Sequence, residues 1–277
     1  MSETVTQKAA RDARRWLAGH ASALETADEH LQLILGLTAA ESLLAASGAG
    51  GNRLLHQAAA GLARFGLQDF AGDPVPALAA HAVLAGQGVR IPALAALAGH
   101  FTEALSDGAR RPLPAALALP RALLRQAGSA VPDVVFRKPA WPSAYRVVAS
   151  RRSQLLTFCH NLGCRTAWGL HRMRAGQLDA VLPYLAVSYA RDWDIDMVCM
   201  LLRACAYLGV AGHAGTGWAV QWLLDQQQPN GAFGLLAPEA RLVGYAGAEW
   251  RLYFQPTVIA VWALAETRAP GFFWGMD

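Results

Sequence analysis

Lysine is almost missing from this chain. Lys8 and Lys138 are the only two among 277 residues, so arginine carries the formal charge of +4. The basic pairs Arg110-Arg111, Arg137-Lys138 and Arg151-Arg152 stand beside prolines or at loop edges. A nucleic-acid track would be a long stripe interleaved with aromatics, so that class of partner is excluded. Charge of either sign is scarce, at 16% against the usual quarter or so. Long apolar runs are missing too: Arg, His, Glu or Gln interrupts every candidate before the roughly 18 to 20 residues that a membrane span needs. The opening MSETVTQKAARDARRW has no apolar core of the secretory kind, so a cytoplasmic protein is expected.

Cysteine is limited to Cys159, Cys164, Cys199 and Cys205, with no CxxC pair. Taken with His160 and His213 they show no recognised zinc spacing, and their apolar surroundings suit reduced thiols packed as small hydrophobes. A Gly-rich phosphate loop, a nucleophile elbow, HExxH and a dinucleotide fingerprint are all missing. No metal and no cofactor are therefore expected.

What is abundant is hydrophobic side chain, 54% of the residues. It recurs at helical spacing, so most helices must be apolar over a broad face. Two helices are expected between residues 3 and 49, broken near Gly19, the second carrying Leu31, Ile34, Leu35, Thr38 and Leu43 on its apolar face. Four more follow at 54–65, 77–86, 92–105 and 114–126, punctuated by Gly and Pro. Residues 131–150, with Pro132, Pro139 and Pro142, lack a helical period and read as a Pro-rich crossing loop between two halves. Beyond it, helices are expected at 153–161, 165–174, 178–189, 195–208, 217–228 and 256–267.

The stretch from Trp218 to Gly234 stands out. Trp222-Leu223 is followed by Gln226, then by Pro229-Asn230-Gly231 and, one residue on, Phe233. That order of aromatic-Leu, Gln, Gly and aromatic resembles the QW repeat of the terpene cyclase and protein prenyltransferase superfamily, and the resemblance covers about Asp192 to Thr267. It implies an all-α fold, a single α/α toroid of the α6/α6 kind with about twelve helices. In such a fold an inner ring is apolar nearly all round and an outer ring buries one face.

Arg191-Asp192-Trp193-Asp194-Ile195-Asp196 places three acids at alternate positions just before an apolar helix. Their plainest role is to cap that helix and meet the positive end of its dipole. Facing a closed cavity, one of them would instead have its pKa raised by burial and by its neighbours and could donate a proton. Class II terpene cyclases carry an Asp-x-Asp-Asp or Asp-x-Asp-Thr-Thr motif in a related helix. By that resemblance Asp196 is the candidate proton donor and Asp194 its polarising neighbour, with Met197 departing from the motif. Prenyltransferase β subunits and lanthionine cyclases share the architecture, but their zinc motifs are not matched here.

His213, in a Gly-rich turn, is a further candidate acid or base. Tyr245, Trp250 and Tyr253, read as a loop before the last helix, are candidate substrate contacts through their rings, and Arg172 is a candidate grip for a diphosphate or an acidic leader. The terminal Phe272-Phe273-Trp274 fits either a latch folded onto the barrel or a contact for another protein. The function expected is a biosynthetic tailoring enzyme that encloses an apolar small molecule or a peptide and assists its acid or base cyclisation. Two alternatives stand beside it: a non-catalytic barrel that binds a peptide or a partner enzyme subunit, and a metal-independent thioether cyclase.

Overall fold

The computed structural model of the protein describes residues 3–44, 52–70, 72–108, 112–137, 141–174, 176–234 and 249–274. Among these residues there are twelve α-helices and no strands: α1 (Val5–His20), α2 (Ala27–Leu44), α3 (Asn52–Leu62), α4 (Pro74–Gly86), α5 (Pro92–Gly108), α6 (Ala118–Gln126), α7 (Ala144–Val148), α8 (Arg152–Thr166), α9 (Leu178–Arg191), α10 (Ile195–Tyr207), α11 (Ala214–Asp225) and α12 (Glu249–Arg268). No described helix is long and apolar enough to cross a membrane.

Local chemistry explains several boundaries. Thr4 and Gln7 form a reciprocal capping box at the start of α1, and Glu29 and Thr26 make the matching exchange at the start of α2. Asp73 caps α4, whose first helical residue is Pro74, a position where the missing N–H costs nothing. Helices α2, α4, α10 and α12 are buried on nearly every side, and α10 alone hides Ile195, Met197, Val198, Cys199, Leu201, Leu202, Ala204, Cys205, Ala206 and Tyr207. By contrast α9 and α11 bury narrow stripes, Leu182, Ala186 and Ala190 on one and Ala219 and Leu223 on the other. Pairwise packing runs α2 on α4, α4 on α6, α6 on α8, α8 on α10, α10 on α12 and α12 back on α2. One apolar cluster extends from Ala9 to Phe273.

Three sequence expectations need correction. The helix expected at 165–174 does not form, because α8 runs unbroken through 153–166 and then the chain turns left-handed at Ala167 (φ 46°), Trp168 (φ 48°) and Gly169 (φ 82°). Thr166 holds this turn: its hydroxyl donates to the Leu162 carbonyl and accepts the Gly169 amide. A Cβ on residue 169 would sit 3.0 Å from the Gly271 amide nitrogen, so glycine is needed both for its φ and for the close approach.

The crossing loop 131–150 is not wholly irregular. Its end forms α7, capped by Ser143, and Val135 and Arg137 pair with Leu113 in a single parallel bridge while Arg121 and Arg125 both bind Asp133 at 2.7 Å. The third correction concerns α12, which begins at Glu249 rather than at Pro256. Pro256 removes an amide donor inside the helix. The next residue ties the helix to the preceding chain: the Thr257 hydroxyl donates to the Tyr253 carbonyl (2.6 Å) and accepts the Phe233 amide (2.9 Å).

The segment from Gln226 to Gly234 is a hydrogen-bonded clasp. Gln226 donates to the Trp222 carbonyl, Gln227 to the carbonyls of Ala9 and Gly231, and Gln228 to that of Gly234. Phe233 is fully buried, and a Cβ at Gly231 would lie 2.4 Å from the Asp12 carbonyl oxygen. Trp222 packs edge-on against Trp193 at 6.1 Å, while Trp218 is 48% exposed.

The Phe272-Phe273-Trp274 segment is packed onto the body. Phe273 is buried against Trp168 and Trp262, the Trp274 indole donates to the Ala167 carbonyl at 2.8 Å, and Gln126 donates to the Phe273 carbonyl at 3.0 Å. Of the two roles open for this tail in the sequence, the latch is the one its contacts fit.

Candidate functional site

Of the acids singled out in the sequence, Asp192 ends α9 as its C-cap while Asp194 and Asp196 open α10, and none of them lines the cavity among α2, α4, α8, α10 and α12. Asp194 is the N-cap, accepting the Met197 amide at 3.1 Å, and it forms a two-pronged pair with Arg152 at 2.5 and 2.8 Å. Burial would raise its pKa, but the bonds from Arg152 and Met197 overcome that and hold it below the ordinary aspartate range. Asp196 has a side chain 41% exposed and lies 3.6 Å from the same guanidinium. Partial burial and then the Asp194 charge push its pKa up, against the pull of Arg152. Trp193, between Asp192 and Asp194, takes a left-handed φ of 58° and is exposed.

This arrangement makes a sharp stability prediction. Asp194→Ala should cost about 1 kcal/mol, the usual worth of an N-cap, since the half-exposed Arg152 pair is screened and adds little. The lowered pKa means that this contribution is present above the ordinary value of 3.8 and is lost as pH falls through the lower folded value. Asp196→Asn should change stability by less than about 0.5 kcal/mol. Urea unfolding of both variants at pH 7 and pH 3 measures the difference, and equal losses in the two would refute the cap assignment.

The remaining expected site residues are dispersed. His213 caps α11, its Nδ1 accepting the Gly215 amide at 3.1 Å and its ring packed edge-on against Tyr184. Trp250 and Tyr253 lie in the first turns of α12 rather than in a loop; Trp250 stacks with His20 at 5.6 Å and meets Phe254 edge-on at 5.7 Å. Arg172 is exposed on the irregular stretch after α8. Tyr245 lies outside the described residues. None of the described ones lines the cavity on which five helices converge.

That cavity, of about 200 Å³, lies among α2, α4, α8, α10 and α12. Its wall is Leu35, Val75, Cys159, Gly163, Trp168, Met200, Val258, Ile259 and Trp262, and its polar lining is Gln32, Asp73, His160, Arg203, Tyr207 and Gln255. Behind Arg203, whose side chain is 15% exposed, stands Glu266, 1% exposed. Arg203 donates through Nε to one Glu266 oxygen at 2.8 Å and through Nη2 to the Tyr207 hydroxyl at 2.9 Å. The other Glu266 oxygen accepts from the Tyr207 hydroxyl at 2.6 Å and from the Trp262 indole at 2.7 Å.

Comparison with protein-family models, with curated proteins and with solved structures finds no match to this chain.

The cluster at the cavity floor must therefore be read from its own chemistry. Burial opposes the charge on Arg203, but Glu266 and Tyr207 more than restore it, so the guanidinium stays protonated. Burial pushes the Glu266 carboxyl up against the pull of Arg203, Tyr207 and Trp262, and drives the Tyr207 phenol well above its ordinary value. Tyr207 thus remains a neutral relay that accepts from Arg203 and donates to Glu266. A buried charge pair of this kind is stable only when its remaining hydrogen bonds are met, as those of Glu266 and Tyr207 are.

The cysteines are free and buried. Cys164 is pushed up to about 11 and Cys205 to about 12, chiefly by burial, so neither is a ready nucleophile. His160 Nε2 lies 3.5 Å from the Cys164 sulfur at the cavity mouth. No group of three or more His, Cys, Asp or Glu among the described residues is placed to hold a metal ion.

The sequence did carry a signal for Arg203, Tyr207 and Glu266. An arginine inside a helix otherwise apolar beyond its first turn, and a glutamate in the equally apolar Val258–Glu266 stretch, must each find a partner, because unpaired charges are almost never fully buried. Spacing reinforces the point, since Arg203 with Tyr207 and Trp262 with Glu266 are each four residues apart on one helix face.

Proposed function

We propose that the chain is a single α/α toroid of the kind found in the terpene cyclase and protein prenyltransferase superfamily, and a biosynthetic tailoring enzyme that seats an apolar part of its substrate in the central cavity. The cyclic packing order of α2, α4, α6, α8, α10 and α12 supports the architecture, with the other helices outside. The single observation that carries the function is the buried Arg203–Tyr207–Glu266 cluster, fixed behind a small aromatic-walled cavity. Well-packed hydrophobic residues in place of such a cluster are often no less stable, so its presence in the core fits a role beyond stability.

Size sets the substrate's fit. An apolar cavity of about 150 Å³ holds one benzene, so the space here accepts one ring or a short branched chain. A larger isoprenoid or a peptide would leave its remainder at the mouth, beside Gln32, Asp73, His160 and Gln255. In this reading Asp194 and Asp196 belong to the helix start, and His160 is the group placed to move a proton at the mouth.

Fluorobenzene titrated into the protein and followed by ¹⁹F NMR tests the site. Saturable millimolar binding is expected, and it should disappear in Ile259→Trp, which fills the cavity. Binding that persists unchanged in that variant would defeat the proposal.

A further inference from the structure

Arg203 holds an edge of its guanidinium in reserve. The group has five N–H donors in a fixed plane. Nε is committed to Glu266 and Nη2 to Tyr207, whereas among the described residues Nη1 meets only the Met200 sulfur at 3.9 Å, a weak acceptor. The plane cannot swing away, since Glu266 anchors it from behind and the guanidinium carbon stands 5.3 Å from the centre of the Trp262 ring. Because Glu266 offsets the positive charge, the floor is not a site for a highly charged group such as a diphosphate. It offers directed N–H bonds to a single planar oxygen acceptor, and a buried donor facing an apolar ligand would be left unmet.

The other titratable groups around the cavity agree with this. Tyr207 and Glu266 are spent on each other and on Arg203, Asp73 is occupied in part by the Val75 amide at the start of α4, and His160 stands at the exposed mouth. Cys159 is a buried thiol whose pKa burial raises, so it presents no charge. The apolar wall then fixes the rest of the ligand.

We infer that the cavity selects a small apolar body, ring or branched chain, ending in a carboxylate or carboxamide oxygen that accepts from Arg203 Nη1. This rests on the proposed role of the cavity as the substrate site and narrows its substrate class.

Four probes of similar size decide the matter by ¹⁹F NMR titration at pH 7: 4-fluorobenzoate, 4-fluorobenzamide, fluorobenzene and 4-fluorobenzylamine. At least one of the two oxygen-bearing probes should bind about tenfold more tightly than fluorobenzene, the worth of one good buried hydrogen bond, and the benzylamine should be the weakest. The two oxygen arms separate a free acid from an amide as the natural group. Arg203→Lys keeps a cation for Glu266 but loses the planar edge, so it should abolish the tenfold advantage and leave fluorobenzene binding intact. If that variant does not fold, Ile259→Trp should remove the binding of every probe. Fluorobenzene binding as tightly as the oxygen-bearing probes would overturn this inference alone. Failure of all four to bind would overturn the cavity reading with it.

Discussion

Glu266→Gln should lower the stability of the protein by about 3 kcal/mol, the low end of what breaking one partner of a buried ion pair costs. The amide oxygen can still accept from Tyr207 and Trp262, but its NH₂ group then faces the Arg203 Nε–H, donor against donor, and the guanidinium keeps a charge with nothing to balance it. Removing both charges together should hurt less than removing one. The double variant Arg203→Met/Glu266→Met loses the pair but no longer strands a charge, so it is expected to unfold at a higher urea concentration than Glu266→Gln. Urea titrations of the two proteins side by side give the answer, and a double variant less stable than the single one would show that the pair contributes more than its own desolvation costs.

Removing residues 271–277 should cost as much or more. The deletion takes away Phe273, seated between Trp168 and Trp262, and the Trp274 bond to Ala167, and it leaves the Gln126 amide without the Phe273 carbonyl. Loss of a buried phenylalanine typically costs about 3 to 5 kcal/mol, equivalent to a fall of roughly 10 °C in melting temperature for a domain of this size. Scanning calorimetry of the shortened chain measures it. A melting temperature unchanged within a degree would mean that the tail is only laid against the surface.

The apolar helices were legible where burial is nearly all-round and the punctuation is unambiguous. Residues 195–208 fall on α10 almost to the residue, because Asp194 opens it and apolar side chains fill nearly every face, while 77–86 finds α4 but misses its start at Pro74. What failed was local conformation overridden by tertiary contact. Nothing in Thr166-Ala167-Trp168-Gly169 forbids a continuing helix; the left-handed turn is held by Thr166 and by the chain end that packs on it. Pro256 reads as a helix start, yet the helix passes through it with the loss of one donor, and Thr257 beside it ties the helix to Phe233.

The site was harder still. Three alternating aspartates draw the eye as a catalytic motif, but capping a helix asks for the same residues in the same place. Arg203 and Glu266, by contrast, are single letters in long apolar stretches, and only the paired burial of the two marks them out. Spacing along one helix is visible in a sequence; the meeting of α10 with α12 is not.

That meeting also dictates when the molecule can be finished. The carboxylate for Arg203 is supplied 63 residues further along the chain, and the clasp at Gln227 reaches back 218 positions to Ala9. On a ribosome, α10 emerges with a cation destined for the interior and nothing yet to neutralise it, so that arginine must wait in water until α12 is made. The docking of α12 onto α2 and α10 is therefore a late event, and a nascent chain halted before α12 should keep the Arg203 side of α10 wet.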